Sequence, residues 1–137
     1  MTEIPSEELI INRSATQVYQ FLNDLRNYEN LMPASDVSDF SASEDQAQLS
    51  LKGLGKFQIS IDQRTPDAYI KLLPKGKLPF QFDIEWHITS KGDTSLIQGK
   101  INADLNMFMK MMAEPKLRSF VDNQAHKLKT FLESEIA

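Results

Sequence analysis

The stretch best equipped for chemistry is Asp83-Ile-Glu-Trp-His87, because Asp83, Glu85 and His87 alternate with apolar residues and so share one face of a strand. Carboxylates and an imidazole at spacing i, i+2, i+4 could gather a divalent metal, with Asn102 and Asp104 facing the same way across a hairpin. A solvated face of mixed charge explains the same alternation and is the preferred reading. The run from Asn106 to Met112, NMFMKMM, holds four of the chain's six methionines. Thioethers can ligate copper, but that gives no reason for the interleaved Phe108 and Lys110. Tyr19, Tyr28 and Tyr69 each carry a hydroxyl, although a buried tyrosine ordinarily satisfies its own hydrogen bond. His126 reads as solvated on the polar side of a helix, and Arg64 as outward near a strand end. There is no nucleophile elbow, phosphate loop or zinc motif. The absence of cysteine removes disulfides, thiolate metal sites and cysteine nucleophiles together. No metal, cofactor or catalytic residue is expected.

The elements that would position these residues belong to a chain of 137 residues with 41% apolar and 25% charged content, which predicts one globular domain over residues 1–137. The net charge of −4 and a pI near 5.1 argue against a phosphate-tracking face, so no nucleic-acid partner is expected. The start, MTEIPSEELIIN, is too polar and acidic for a signal peptide, and no apolar run approaches the roughly 20 residues that span a bilayer. With no cysteine, the expected compartment is the cytoplasm. Oligomeric state is left open.

Periodicity supplies the secondary structure. ELIIN predicts a short strand ending near Asn12. Ser14 and Gln17 then stand at capping-box spacing, and Val18, Phe21, Leu22 and Leu25 follow at helical spacing. This region reads as two short helices with a break near Asp24, closed by Pro33. From about residue 36 to 106 the period changes to two, predicting six antiparallel strands in a meander. Turns are expected at 43–45, 53–55, 66–67, 74–77 and 91–93. The inward face takes Leu49, Leu51, Phe57, Ile59 and Ile61, then Ile70 and Leu72. Phe80, Phe82, Ile84, Trp86, Ile101, Ala103 and Leu105 complete it. From Pro115 onward Leu117, Phe120, Val121, Gln124, Leu128, Phe131 and Leu132 form the stripe of a long amphipathic helix. A one-sided sheet and an amphipathic helix each need a partner, and they satisfy one another.

This order of elements resembles the helix-grip fold of the START-related superfamily, SRPBCC, which includes polyketide cyclases, lipid-transfer domains and the major birch pollen allergen. The stretch INRSATQVYQFLNDLRNYENLMP is similar to the superfamily's opening strand, capped helix and short second helix. Many members carry Trp where this chain reads Leu31-Met32. The resemblance implies an α+β fold: a curved antiparallel sheet of about seven strands wrapped around a long C-terminal helix, with two short helices after the first strand. It also implies an apolar cavity between sheet and helix. Met32, Phe120 and Gln124 would join the inward strand residues Phe57, Ile59, Ile70, Leu72, Phe80, Phe82, Ile84, Trp86, Ile101, Ala103 and Leu105 in lining it.

Hairpin parity puts the turns at 53–55 and 74–77 and the 106–114 segment at one end of the sheet, where related folds open their cavity. That mouth would carry Leu54, Leu78, Lys75, Lys77, Met107, Phe108, Met111 and Met112. Two uses of the methionine run compete: completing the core, or forming an adaptable apolar lid in a basic rim. If the helix starts near Met107 with Asn106 as cap, Pro115 falls inside it and should kink it or split it into a short and a long helix. The function expected first is non-catalytic binding of a lipophilic small molecule, lipid-, fatty-acid- or polyketide-like. A polyketide cyclase or aromatase activity and a protein-interaction module using the methionine-rich surface are the alternatives.

Overall fold

The computed structural model of the chain describes residues 1–32, 35–52 and 55–134. Alternating apolar residues build eight strands. These are β1 (Thr2–Pro5), β2 (Leu9–Ile11), β3 (Val37–Ala42), β4 (Gln46–Leu51), β5 (Gly55–Thr65), β6 (Tyr69–Lys75), β7 (Phe82–Lys91) and β8 (Thr94–Ala103). They form one antiparallel sheet in the order β1-β8-β7-β6-β5-β4-β3, with β2 also paired to β8. Two helices, α1 (Ala15–Leu22) and α2 (Met107–Ser134), and a 3₁₀ helix at Leu25–Leu31 complete the chain. This is the helix-grip arrangement, with α2 lying along β8, β1, β2 and the 3₁₀ helix.

The opening strand differs from expectation. β2 falls where ELIIN predicts it, but Thr2–Pro5 forms an additional strand on the same flank of β8. Pro5 obscures the pattern, since proline is accepted only where a ladder can spare a donor, as on this edge. Between the two strands Ser6 keeps the edge closed. Its N–H donates to the Gly99 carbonyl at 2.8 Å, and its Oγ accepts from the Gly99 N–H at 2.9 Å.

The helical signals hold locally. Ser14 Oγ accepts from the Gln17 N–H at 3.2 Å while Gln17 Oε1 accepts from the Ser14 N–H at 3.0 Å, the reciprocal capping box. Asp24 breaks the chain between helices and caps the second, accepting from the Arg26 N–H at 3.0 Å. Pro33, expected to close this region, lies outside the described residues. Asn106 caps α2 by accepting from the Met109 N–H at 2.8 Å. The helix then runs unbroken through Pro115 to Ser134, so of the two outcomes expected there, a kink or a split, the split into two helices does not occur. One missing donor costs about 3 kcal/mol in a regular helix. The buried stripe of Val121, Gln124, Ala125, Leu128 and Leu132 holds the rest in register.

Packing of that stripe on the sheet makes the core. Trp86, Ile70, Leu22, Leu25, Tyr28 and Ile97 are among its fully buried members. Tyr28 Oη donates to the Leu22 carbonyl at 2.7 Å, so its hydroxyl is used inside the fold. Burial pushes the Tyr28 phenol far up, opposed by the Trp86 indole N–H, whose geometry falls short of a hydrogen bond.

Candidate ligand cavity

The first half of α2 stands away from β4, β5 and β7, and the space beneath it is a cavity of about 840 Å³. Its floor is apolar: Leu49 and Leu51 on β4, Phe57 and Ile59 on β5, Phe82 and Ile84 on β7, Ile101 on β8. Phe57 and Phe82 meet edge to face at 6.2 Å, and Phe80 packs on Phe82 at 5.7 Å. The roof is α2 from Met112 to Asn123, and Met32 at the end of the 3₁₀ helix forms a side wall. Period two explains the floor, because alternate residues of neighbouring strands face one way. Polar groups are confined to the rim. Lys116, Ser119 and Asn123 come from one flank of α2 at helical spacing, and Asp36 and Lys52 from the β3–β4 end. The Lys52 N–H donates to the Asp36 carbonyl at 2.8 Å, which ties these two positions together.

Eight of the expected lining residues stand on this wall: Met32, Phe57, Ile59, Phe80, Phe82, Ile84, Ile101 and Phe120. Ile70, Leu72, Trp86 and Ala103 do not; they are buried in the packed core. Parity gives the face of a strand but not the depth along it. Ile70 pairs with Trp86, whose indole lies beneath α2 where the helix closes on the sheet. Leu105 lies past the end of β8, half-buried and off the wall. Gln124 is buried behind it, its Nε2 3.5 Å from Met32 Sδ.

At the mouth the correction is larger. Met112 lines the cavity, but Met107, Phe108 and Met111 point to solvent with 86%, 74% and 80% exposure. Neither expected use of the run holds for these three, because α2 projects past the sheet before it has anything to pack on. Lys75 and Lys77 are exposed and Leu78 is half-buried, all off the wall. The lysines at the opening are Lys52 and Lys116. Leu54 lies outside the described residues. Ala113, Pro115 and Leu117 of α2 and Pro79 also line the space; Leu117 stands on the stripe read from the sequence, whereas Ala113 joins the wall only because the helix continues through Pro115.

The Asp83, Glu85 and His87 face is engaged internally. Tyr69 Oη donates to Glu85 Oε1 at 2.6 Å, and Asn102 Nδ2 donates to Asp83 Oδ1 at 2.7 Å and also to Glu85. Lys100 bridges Glu3 at 3.1 Å and Glu85 at 3.5 Å, while His87 lies 3.5 Å from Glu85. Burial raises the Glu85 carboxyl, but the Tyr69 and Asn102 donors and the Lys100 charge outweigh it and hold Glu85 below the ordinary glutamate range. Burial, then the bond to Glu85, push the Tyr69 phenol well up. Away from this face, His126 meets Glu7 at 3.1 Å, and Arg64 meets Asp45 at 2.5 Å. Among the described residues no group of three His, Cys, Asp or Glu is arranged to hold a metal ion, and no helix is long and apolar enough to cross a membrane.

A family model described as polyketide cyclase / dehydrase and lipid transport matches residues 11–130. The chain belongs to that family. By sequence alone no curated protein matches this polyketide cyclase and lipid transport family member. Its fold is shared with truncated norcoclaurine synthase from Thalictrum flavum, at TM-score 0.78 and 9% identity over 98% of this chain and 95% of that one. XoxI from Bacillus cereus superposes at TM-score 0.76 with 14% identity over the full length of both chains. The Aha1 dimer from Colwellia psychrerythraea is similar at TM-score 0.66 and 16% identity, covering all of both chains. At these identities the likeness is one of fold.

Proposed function

We propose that this family member binds an amphipathic lipophile, its apolar body on the Phe57, Phe82 and Ile84 floor and a polar or anionic head between Lys52 and Lys116. The observation that carries this reading is the division of the 840 Å³ cavity into an apolar floor and a polar rim. Its volume is in the range of small-molecule sites, and apolar burial with a few orienting polar groups is how such sites bind. The family description includes lipid transport, and a norcoclaurine synthase of the same fold is known in complex with dopamine and hydroxybenzaldehyde. The absence of cysteine supports our inference of a cytoplasmic setting, and the net charge of −4 supports that of no nucleic-acid partner.

The test is native mass spectrometry of freshly purified protein, organic extraction of the bound mass, and titration with a fluorescent apolar probe. Leu117→Trp, directed into the cavity, should lower probe affinity at least tenfold while the fold is retained. Equal probe binding by parent and variant would overturn the reading.

An enzymatic reading has its own observation: Asp36, Lys52 and Lys116 put a carboxylate and two ammonium groups at one opening, a set able to move protons beside a bound carbonyl. Turnover of a polyketide-like substrate that disappears in both Asp36→Asn and Lys52→Met would favour a cyclase or dehydratase over a carrier.

A further inference from the structure

Of the large apolar side chains exposed among the described residues, Met107, Phe108, Met111 and Met112 occupy the first two turns of α2. Their spacing, i, i+1, i+4 and i+5, makes one continuous stripe. Even Met112, the least open of the four, is 62% exposed. Single exposed apolar residues need no explanation, but a contiguous stripe marks a contact surface.

The charge around it is equally uneven. Lys110 and Lys116 flank the stripe on α2, and Lys52, Lys56, Lys75 and Lys77 come from the β4, β5 and β6 ends on the same side of the fold. All are exposed, and none forms an ion pair among the described residues. Elsewhere Arg26, Arg64, Lys71, Lys100 and Lys129 each have a carboxylate partner. Of the carboxylates at this end, Glu114, Glu3 and Asp83 are engaged with Arg118 at 3.3 Å, Lys100 at 3.1 Å and Lys71 at 4.0 Å, which leaves Asp36 and Asp104 against the six lysines. A chain of net charge −4 thus presents a locally basic end around an apolar stripe. The resulting field orients that end toward negative surfaces.

We propose that this end docks on an anionic lipid bilayer, with Met107, Phe108 and Met111 entering the headgroup boundary and the lysines meeting lipid phosphates. Flexible unbranched and aromatic side chains beside lysines are the composition of helices that lie in a membrane interface, and lysine stems can follow the apolar stripe while their ammonium groups reach outward. A second copy seated on the same stripe would bring lysines against lysines. The docking rests on this surface alone. That it opens the cavity to the bilayer, because Met112 and Lys116 belong to both, rests on the carrier reading above.

The experiment is vesicle flotation of the full chain with equimolar phosphatidylglycerol and phosphatidylcholine, against phosphatidylcholine alone. Parent protein should float with the anionic vesicles only, and lose at least tenfold in binding at 1 M salt, where the screening length is about 3 Å. Phe108→Ser/Met111→Ser should lose about tenfold without loss of fold, since both side chains are already in solvent. Lys75→Glu/Lys77→Glu/Lys110→Glu should lose about fivefold per lysine. Leu117→Trp, which tests the cavity, should float like the parent. The proposal is overturned by absence of binding to anionic vesicles, by indifference to both surface variants, by flotation that vanishes with Leu117→Trp, or by light scattering that shows the stripe consumed in a dimer or in an acidic protein partner.

Discussion

Val121 is seated on Gly99: a Cβ at Gly99 would fall 3.1 Å from Val121 Cγ2 and 3.2 Å from Trp86 Cζ3. The glycine lets α2 settle onto β8 at this point, and the helix gains its cavity-spanning overhang by being held here. Gly99→Ala should destabilise by about 1–3 kcal/mol through overpacking, read as a lower denaturant midpoint. Ser6→Ala should cost about 1–3 kcal/mol by leaving the Gly99 N–H unpaired. Because both act on one backbone position, the double variant should cost less than the sum. Additive effects would separate the two contacts.

Head-group selection should follow the lysines at the opening. Reversing Lys52 or Lys116 to Glu should weaken a fatty-acid probe by about 1 kcal/mol each, the upper end for exposed charge pairs, and leave a fatty alcohol of equal length unchanged. Lys75→Glu/Lys77→Glu should alter neither, since neither residue lines the cavity. Isothermal titration of both ligands with both variant sets checks this. Loss of the alcohol together with the acid would mean the lysines shape the wall rather than read charge.

How far the sequence reaches is visible in the same residues. Phe57, Ile59, Phe82, Ile84 and Ile101 were legible as cavity wall because strand parity is a local property, fixed by the backbone. Trp86 and Ile70 obey the same parity, yet both are buried in the packed core, and for Trp86 that depends on Gly99 and Val121 meeting from positions 22 residues apart. Nothing in a two-residue period reports where a helix will land. The methionine run shows the converse: helical spacing usually indicates burial, but burial needs a surface opposite, and α2 begins before the sheet can offer one. Lys116 was hidden because it lies off the apolar stripe, on the flank of α2 that only the position of the helix over the sheet brings to the opening.

Pro115 interrupts one hydrogen bond of α2 without dividing the helix, leaving the Met111 carbonyl without its intrahelical donor. Pro115→Ala should stabilise the chain by up to about 3 kcal/mol, the cost of proline inside a regular helix. The missing hydrogen bond makes Pro115 a soft point in the cavity roof, so stopped-flow release of an apolar probe should slow in the variant. Greater stability with unchanged release would place the gate away from α2.

Acid should unlock the outer face of the sheet first at Glu85. Its folded-state proton affinity is lowered, by the Tyr69 and Asn102 donors and by Lys100, against an opposing burial effect. A carboxyl held low in the native state stabilises it fully above the unperturbed glutamate value of about 4.3. That contribution is lost as pH falls through the lower native value. Glu85→Gln removes the titration, so the stability difference between neutral and acid pH should shrink in the variant, while its stability at neutral pH falls. Urea midpoints measured from pH 7 down to pH 3 give the comparison. Parallel curves for parent and Glu85→Gln would show that Glu85 binds its proton equally in the folded and unfolded chains, and that the Tyr69 and Lys100 contacts carry no net linkage.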